Sequence, residues 1–153
     1  MNLRTQIAKA FADVPYPGDD NITFSQCEEA QHVLHYLCGK KWHELSIQEL
    51  RYANALSWLS EAGFQHYLPA YLLAVTTDIG KADVMVLELK YAFIPPRRLT
   101  GAANSTFASR IQCLTDAQKE TILLTFQKLA HDGAYDETDL EMLHRTFMQF
   151  GKA

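Results

Sequence analysis

The sequence predicts an all-α protein, folded as a single helical domain over residues 1–153 with about six to eight helices. Three kinds of observation predict this class. Capping boxes recur along the chain, apolar residues repeat at the spacing of amphipathic helices, and proline or glycine follows most of these segments. The three signals agree along most of the chain, which favours one helical architecture.

The first two helices are predicted from their apolar stripes. The first stripe is formed by Leu3, Ile7, Ala10 and Phe11. Pro15 ends that helix, and a capping box of Ser25 and Glu28 begins the second. The second stripe is formed by Cys27, Ala30, Leu34, Leu37 and Cys38. Gly39 then ends the helix.

The middle of the chain is predicted to hold two further helices. Ser46 and Glu49 form a capping box for the third, which extends through Leu59 until Gly63 breaks it. Pro69 fits the first turn of the fourth helix, where its missing N–H costs nothing. The fourth helix is apolar nearly all round, so we expect it at the centre of the fold.

Residues 83–93 alternate apolar and polar side chains as a strand does. One isolated strand would have no sheet to join, so a helix is predicted here. Pro95 ends this helix, and residues 97–103 are predicted to form a long surface loop. A short helix is then expected to run through Ile111.

The last part of the chain is predicted to form two long helices. Thr115 and Gln118 are a capping box for a helix over residues 117–130, and the final helix spans residues 136–150. The predicted core residues are Leu68, Leu72, Leu73, Phe126 and Phe147.

Bulk composition limits the classes of partner. The formal net charge is −4 and the sequence pI is about 5.8, whereas nucleic-acid binding requires concentrated Lys and Arg. The longest apolar run, residues 67–75, is far shorter than the ~20 residues of a transmembrane helix, and the N-terminus has no apolar signal segment. We therefore expect a cytoplasmic protein with no nucleic-acid partner and no membrane contact.

Metal binding is the most specific chemical alternative. Glu29-x-x-His32 and Glu141-x-x-His144 match the spacing used by di-iron helix bundles. The apolar stripe of the second helix is centred roughly opposite Glu29, however, and di-iron ligands must project into the bundle. The sequence therefore predicts no metal and no cofactor.

Catalytic chemistry has weaker support in the sequence. Cys113 lies just before a predicted helix start, where a thiolate would be stabilised, but its apolar neighbours favour a buried structural thiol. The sequence has no glycine-rich phosphate loop and no serine elbow. No catalytic residue is predicted, and an enzyme is the less favoured interpretation.

Two tracts carry a more specific pattern than the rest of the chain. One is Tyr67-Leu68-Pro69-Ala70, and the other is Arg110-x-x-x-Leu114-Thr115-x-x-Gln118. Through them the chain resembles, over roughly residues 25–130, a family of small bacterial proteins with no assigned function. The resemblance implies an architecture rather than a reaction, and both tracts are expected to hold the fold together.

Negative charge is concentrated near the start of the last predicted helix. Five carboxylates lie within ten residues that contain no Lys or Arg: Asp132, Asp136, Glu137, Asp139 and Glu141. Acidic residues in a first turn stabilise a helix, which explains part of the pattern. A surface of one sign would also steer a basic partner protein, so these residues are the predicted partner-binding site.

Two functional hypotheses follow from the sequence. The favoured one is a non-catalytic, cytoplasmic protein-binding module, for which an immunity-type inhibitor of a basic toxin enzyme is the closest physical analogy. The alternative is a small enzyme or ligand-binding protein whose pocket is built from Trp42, His66, Tyr67 and Arg110.

Overall fold

A computed structural model of the protein describes residues 1–95 and 101–151, apart from the side chains of residues 101–104. Within these residues the chain forms nine α-helices and no β-strand. They are α1 (Leu3–Ala10), α2 (Glu28–Leu37), α3 (Ile47–Ala53), α4 (Glu61–Thr77), α5 (Ile79–Ala82), α6 (Val84–Tyr91), α7 (Gly101–Gln112), α8 (Asp116–His131) and α9 (Glu137–Phe150). The all-α class is confirmed, and the short α5 accounts for the additional helix.

Two of the predicted capping boxes form as expected. Ser46 Oγ accepts the Glu49 amide (3.1 Å), and Thr115 Oγ1 accepts the Gln118 amide (3.2 Å). The box at Ser25 is wrong, because α2 begins only at Glu28 and Ser25 Oγ accepts the Cys27 amide instead. Two residues before Ser25, Thr23 forms an isolated antiparallel bridge with Leu59.

The third helix is shorter than predicted. It ends at Ala53, and Asn54 adopts a left-handed conformation (φ 47°) that closes it. A 3₁₀ turn over Leu56–Trp58 follows and leads to α4.

The predicted helix break at Gly63 is wrong, because Gly63 lies inside the central helix α4. Ser60 Oγ accepts the Gly63 amide (3.0 Å) and so caps the helix. The helix starts at Glu61 and continues through Pro69 to Thr77. Pro69 therefore lies in the helix interior, where it has no N–H to donate to the Gln65 carbonyl. Burial of most of α4 against the surrounding helices outweighs this cost, and α4 contacts α1, α3, α5, α6, α7 and α8.

The ambiguous segment at residues 83–93 is helical, as predicted. Met85 and Leu89 of α6 are buried, while Val84, Leu87 and Tyr91 are exposed. Apolar residues on opposite faces of one helix explain the strand-like alternation. The predicted loop is partly wrong, since residues 101–103 belong to α7; residues 97–100 lie outside the described residues.

The predicted core is confirmed for Leu68, Leu72 and Phe126, which are fully buried or nearly so. Leu73 and Phe147 are only partly buried and pack against the edge of the core. No helix among the described residues has both the length and the apolarity to cross a membrane.

A buried glutamine joins three helices. The Gln118 Oε1 atom accepts the Thr115 amide (3.1 Å) and Gln65 Nε2 (3.1 Å). Its Nε2 atom donates to the Ala10 carbonyl (3.1 Å) at the end of α1. The start of α8 is thereby tied to α4 and to α1.

Candidate functional site

A cavity of about 470 Å³ lies between α6, α7 and the 3₁₀ turn that precedes α4. This volume is in the range of small-molecule binding sites. Its wall is mostly apolar and includes Phe24, Leu56, Val84, Tyr91, Ile94 and Phe107. Two ionisable side chains, Glu88 and Arg110, line the same cavity without forming an ion pair with each other.

Glu88 is held in place by the 3₁₀ turn. Its Oε1 atom accepts the Leu56 amide (2.9 Å), whereas its buried Oε2 atom has no hydrogen-bond partner among the described residues. Burial raises the pKa of Glu88 to about 7, and the Leu56 hydrogen bond opposes this effect. At neutral pH the carboxyl is therefore divided between its neutral and ionised forms.

Arg110 crosses from α7 to the segment before α4. Its Nε donates to the Leu59 carbonyl (2.9 Å) and its Nη2 to the Ser57 carbonyl (2.9 Å). The guanidinium carbon lies 5.5 Å from the ring centre of Phe24 and 5.6 Å from that of Phe64. Burial lowers the pKa of Arg110 to about 10, so the group stays charged at neutral pH. Arg110 thus joins the two segments through backbone carbonyls rather than a carboxylate.

The pocket predicted from Trp42, His66, Tyr67 and Arg110 is not assembled. His66 Nε2 accepts the Trp42 amide (3.2 Å). The ring centres of His66 and Tyr67 lie 4.7 Å apart, with the ring planes perpendicular. Arg110 hydrogen-bonds to a different segment. His66 and Tyr67 are also buried, and the Tyr67 hydroxyl donates to the Lys40 carbonyl (2.7 Å).

The His66 cluster is therefore a packing feature of the core. Burial lowers the pKa of His66, which keeps the imidazole neutral at pH 7. Trp42 lines a separate apolar groove of about 380 Å³ between α3 and α4, together with His43.

The acidic stretch, residues 132–141, carries less unpaired negative charge in the folded protein than its sequence suggests. Asp136 Oδ1 accepts the Asp139 amide (2.9 Å), and Asp139 Oδ2 accepts the Asp136 amide (3.0 Å), so the pair caps α9. Asp139 also lies 3.5 Å from Lys90, and Asp132 lies 2.7 Å from Lys128. Both lysines are outside the ten residues, which is why the sequence pattern overstated the charge.

The carboxylates of Glu137 and Glu141 remain exposed on α9. They occupy neighbouring turns of one helix face, and neither forms an ion pair with any residue the structure describes.

The residues with di-iron spacing lie on helix surfaces. Glu29, His32, Glu141 and His144 are all exposed. His32 Nε2 donates to the Tyr52 carbonyl (2.8 Å). Over residues 1–95 and 101–151, no three His, Cys, Asp or Glu side chains come together as potential metal ligands.

Cys113 is half-buried, and its Sγ donates to the Arg110 carbonyl at 3.0 Å. Burial raises the pKa of this thiol to about 12, so it stays protonated at neutral pH. The structure therefore supports a packing role for Cys113.

Sequence reasoning identified Arg110 but missed Glu88. The available signal was a single carboxylate among apolar residues in the segment Val84–Tyr91. Its partner, the Leu56 amide, is distant along the chain, so only the fold brings the two together.

Comparison with known proteins gives a family and no activity. The chain matches no curated protein and no solved structure at a significant level. A family model described as "Family of unknown function (DUF6714)" matches residues 1–146. The chain therefore belongs to the DUF6714 family, whose function is unknown.

Proposed function

We propose that this protein binds a small amphipathic molecule in the cavity lined by Glu88 and Arg110. The observation that carries the proposal is the cavity of about 470 Å³ itself, whose wall is mostly apolar and also holds the side chains of Glu88 and Arg110. An apolar body would pack against the wall, and a polar end would lie near Glu88 and Arg110.

Fragment binding measured by protein-observed NMR would test this function. We expect fragments to shift the amide signals of α6, α7 and the Leu56–Trp58 turn. Val84→Trp should weaken their binding by about tenfold, because Val84 lines the cavity and an indole would occupy its space.

Leu87→Trp is the matched control. Leu87 lies on the same helix and is 50% exposed, against 51% for Val84, but it does not line the cavity. Fragments should bind this variant as they bind the original protein. Equal binding to both tryptophan variants, or the absence of any fragment that binds the cavity, would contradict the proposal.

We propose protein binding through the acidic stretch as a second function. It is supported by the exposed carboxylates of Glu137 and Glu141, while Asp132, Asp136 and Asp139 have local roles in ion pairs or capping. The partner would present a basic surface. An immunity-type role, a bacterial source and a cytoplasmic location stay predictions.

Paired affinity capture from the native cells would test the second function. A variant with Glu137→Gln and Glu141→Gln should recover a basic partner less than half as well as the original protein, because both changes remove charge and leave the α9 cap intact. The control carries Glu28→Gln and Glu29→Gln, which remove two exposed charges from α2. If both variants capture the same proteins in the same amounts, the acidic stretch serves only to begin α9.

A further inference from the structure

The chemical class of the ligand can be narrowed, on the basis of the proposed ligand function. We infer that the cavity selects small organic acids: a carboxylate placed beside Arg110 and attached to an apolar, aromatic-sized body that packs against the wall. The inference follows from the charges that line the cavity and from the one that is left without a counter-ion.

Arg110 carries a positive charge that no acidic side chain balances. It is only 8% exposed, and its Nε and Nη2 atoms donate to the neutral carbonyls of Leu59 and Ser57. Among the residues that the structure describes, no carboxylate pairs with Arg110, and the Nη1 atom has no hydrogen bond. Buried charges are ordinarily paired, so an anion in the cavity would supply the missing partner through a charge-assisted hydrogen bond.

Two neutral side chains of the wall can support the same anion. Asn54 and Ser57 line the cavity and are exposed, so the amide of one and the hydroxyl of the other are accessible to a ligand. Both groups can donate hydrogen bonds. The segment between α3 and α4 therefore offers neutral donors in addition to the guanidinium group.

Glu88 opposes an anion less strongly than its position on the wall suggests. Arg110 is fully charged at neutral pH, whereas a pKa of about 7 leaves Glu88 ionised in about half of the molecules. The Oε2 atom of Glu88 is buried, so a ligand in the cavity senses this charge without touching that atom. A ligand that binds only the molecules with a neutral Glu88 loses about twofold in affinity at pH 7. An ammonium would instead meet the full charge of Arg110.

The rest of the cavity suits an apolar body. The ring centre of Phe24 lies 5.5 Å from the guanidinium carbon of Arg110, so a body attached to a carboxylate there would lie near this ring. Phe24 and Tyr91 are 49% and 63% exposed, and Phe107 forms a buried part of the wall. Aromatic rings pack favourably against an aromatic body.

Glu88 makes this binding depend on pH. Burial and the negative charge of Glu88 raise the pKa of the Tyr71 hydroxyl on α4, so that group stays neutral. None of the other ionisable groups on and around α6 forms an ion pair with Glu88: Arg51 on α3, Lys81 on α5, Asp83 before α6, Lys90 and Tyr91 on α6, Arg110 on α7, Tyr135 before α9 and Asp139 on α9. Since the pKa of Glu88 is about 7, its neutral fraction rises from about one tenth near pH 8 to about nine tenths near pH 6. Anion binding should therefore strengthen as the pH falls.

Three probes of similar size separate the ligand classes: 3-phenylpropionate, 3-phenylpropionamide and 3-phenylpropylamine. Their dissociation constants would be measured by protein-observed NMR titration at about pH 6, where a carboxylic acid is still ionised. We expect 3-phenylpropionate to bind at least about fivefold more tightly than either of the others. Its affinity should weaken at least about fivefold from about pH 6 to about pH 8, as Glu88 ionises.

Glu88→Gln tests the origin of the pH dependence. The amide keeps an acceptor for the Leu56 N–H but never ionises. At about pH 8 this variant should bind 3-phenylpropionate at least about fivefold more tightly than the original protein, a gain that misfolding cannot produce. Glu120→Gln removes an exposed charge from α8 and should keep the original pH dependence.

Equal or tighter binding of the amide or the amine would overturn the organic-acid inference. The same holds if Glu88→Gln binds 3-phenylpropionate no more tightly than the original protein at about pH 8. If none of the three probes shifts a cavity signal, this inference also falls. The fragment experiment with Val84→Trp then decides separately whether the cavity binds any ligand.

Discussion

Leu72→Ala is expected to lower the free energy of unfolding by about 2–5 kcal/mol, the largest loss we anticipate from a single side-chain truncation here. Leu72 is fully buried in α4, the helix around which most of the others pack. Truncation removes apolar contacts and leaves a void that rigid neighbours fill only in part. Urea denaturation would measure the loss, provided that the unfolding free energy falls with urea concentration at the same slope in both proteins.

Leu87→Ala provides the control for this measurement. Leu87 is also a helical leucine, but half of its surface is exposed, so the same truncation should change stability by less than about 0.5 kcal/mol. A Leu72→Ala loss below about 1 kcal/mol would mean that α4 does not occupy the centre of the core.

Gly63→Ala is expected to destabilise the protein by about 2–3 kcal/mol although alanine favours helices. A Cβ atom at position 63 would overlap the Ile22 carbonyl oxygen. That oxygen accepts the Ser60 amide (2.9 Å), so moving it would disturb the start of α4. The steric cost therefore exceeds the ~1 kcal/mol that alanine gains over glycine within a helix.

Gly80→Ala isolates the effect of helix propensity. Gly80 is also helical, and the nearest atom to a Cβ there is Asp78 Oδ1 at 3.5 Å, an ordinary contact. We expect this change to be neutral or to stabilise by up to ~1 kcal/mol. Thermal unfolding would compare the melting temperatures of both variants. Equal shifts in melting temperature would rule out the close contact between a side chain at position 63 and Ile22.

Residue spacing in the sequence predicted the helix starts that depend on hydrogen bonds between residues close in the chain. The caps at Ser46 and Thr115 each need only a side chain and an amide three residues later, so sequence spacing was sufficient. Ser25 has the same spacing, but Thr23 just before it pairs with Leu59, and the helix begins only at Glu28. That pairing is set by tertiary structure, which spacing does not encode.

The errors around α4 have a related cause. Gly63 and Pro69 have low helix propensity, so the prediction ended one helix at Gly63 and placed Pro69 in the first turn of the next. The fold uses Gly63 for close approach to Ile22 and buries Pro69 within an apolar helix. Burial and packing of the whole segment outweigh both local preferences.

The candidate site was the least predictable part. Its two ionisable groups lie on different helices, and each contacts the segment between α3 and α4. Arg110 was noticed because it begins the tract Arg110-x-x-x-Leu114-Thr115-x-x-Gln118, whereas Glu88 lies in a segment that sequence alone could barely assign as helix. Only the packing of α6 and α7 on one turn brings the two residues to one cavity.

The hydrogen bond from Gln118 to the Ala10 carbonyl limits which residue types can occupy position 118 of the capping box. Such a box ordinarily accepts glutamate or glutamine at this position, because only an acceptor is required. Here the same side chain also donates from Nε2 to the Ala10 carbonyl. A carboxylate has no N–H, so glutamate would leave that carbonyl unpaired and place a charge in a buried position. The glutamine is thus dictated by α1, at the far end of the chain, rather than by the helix that it caps.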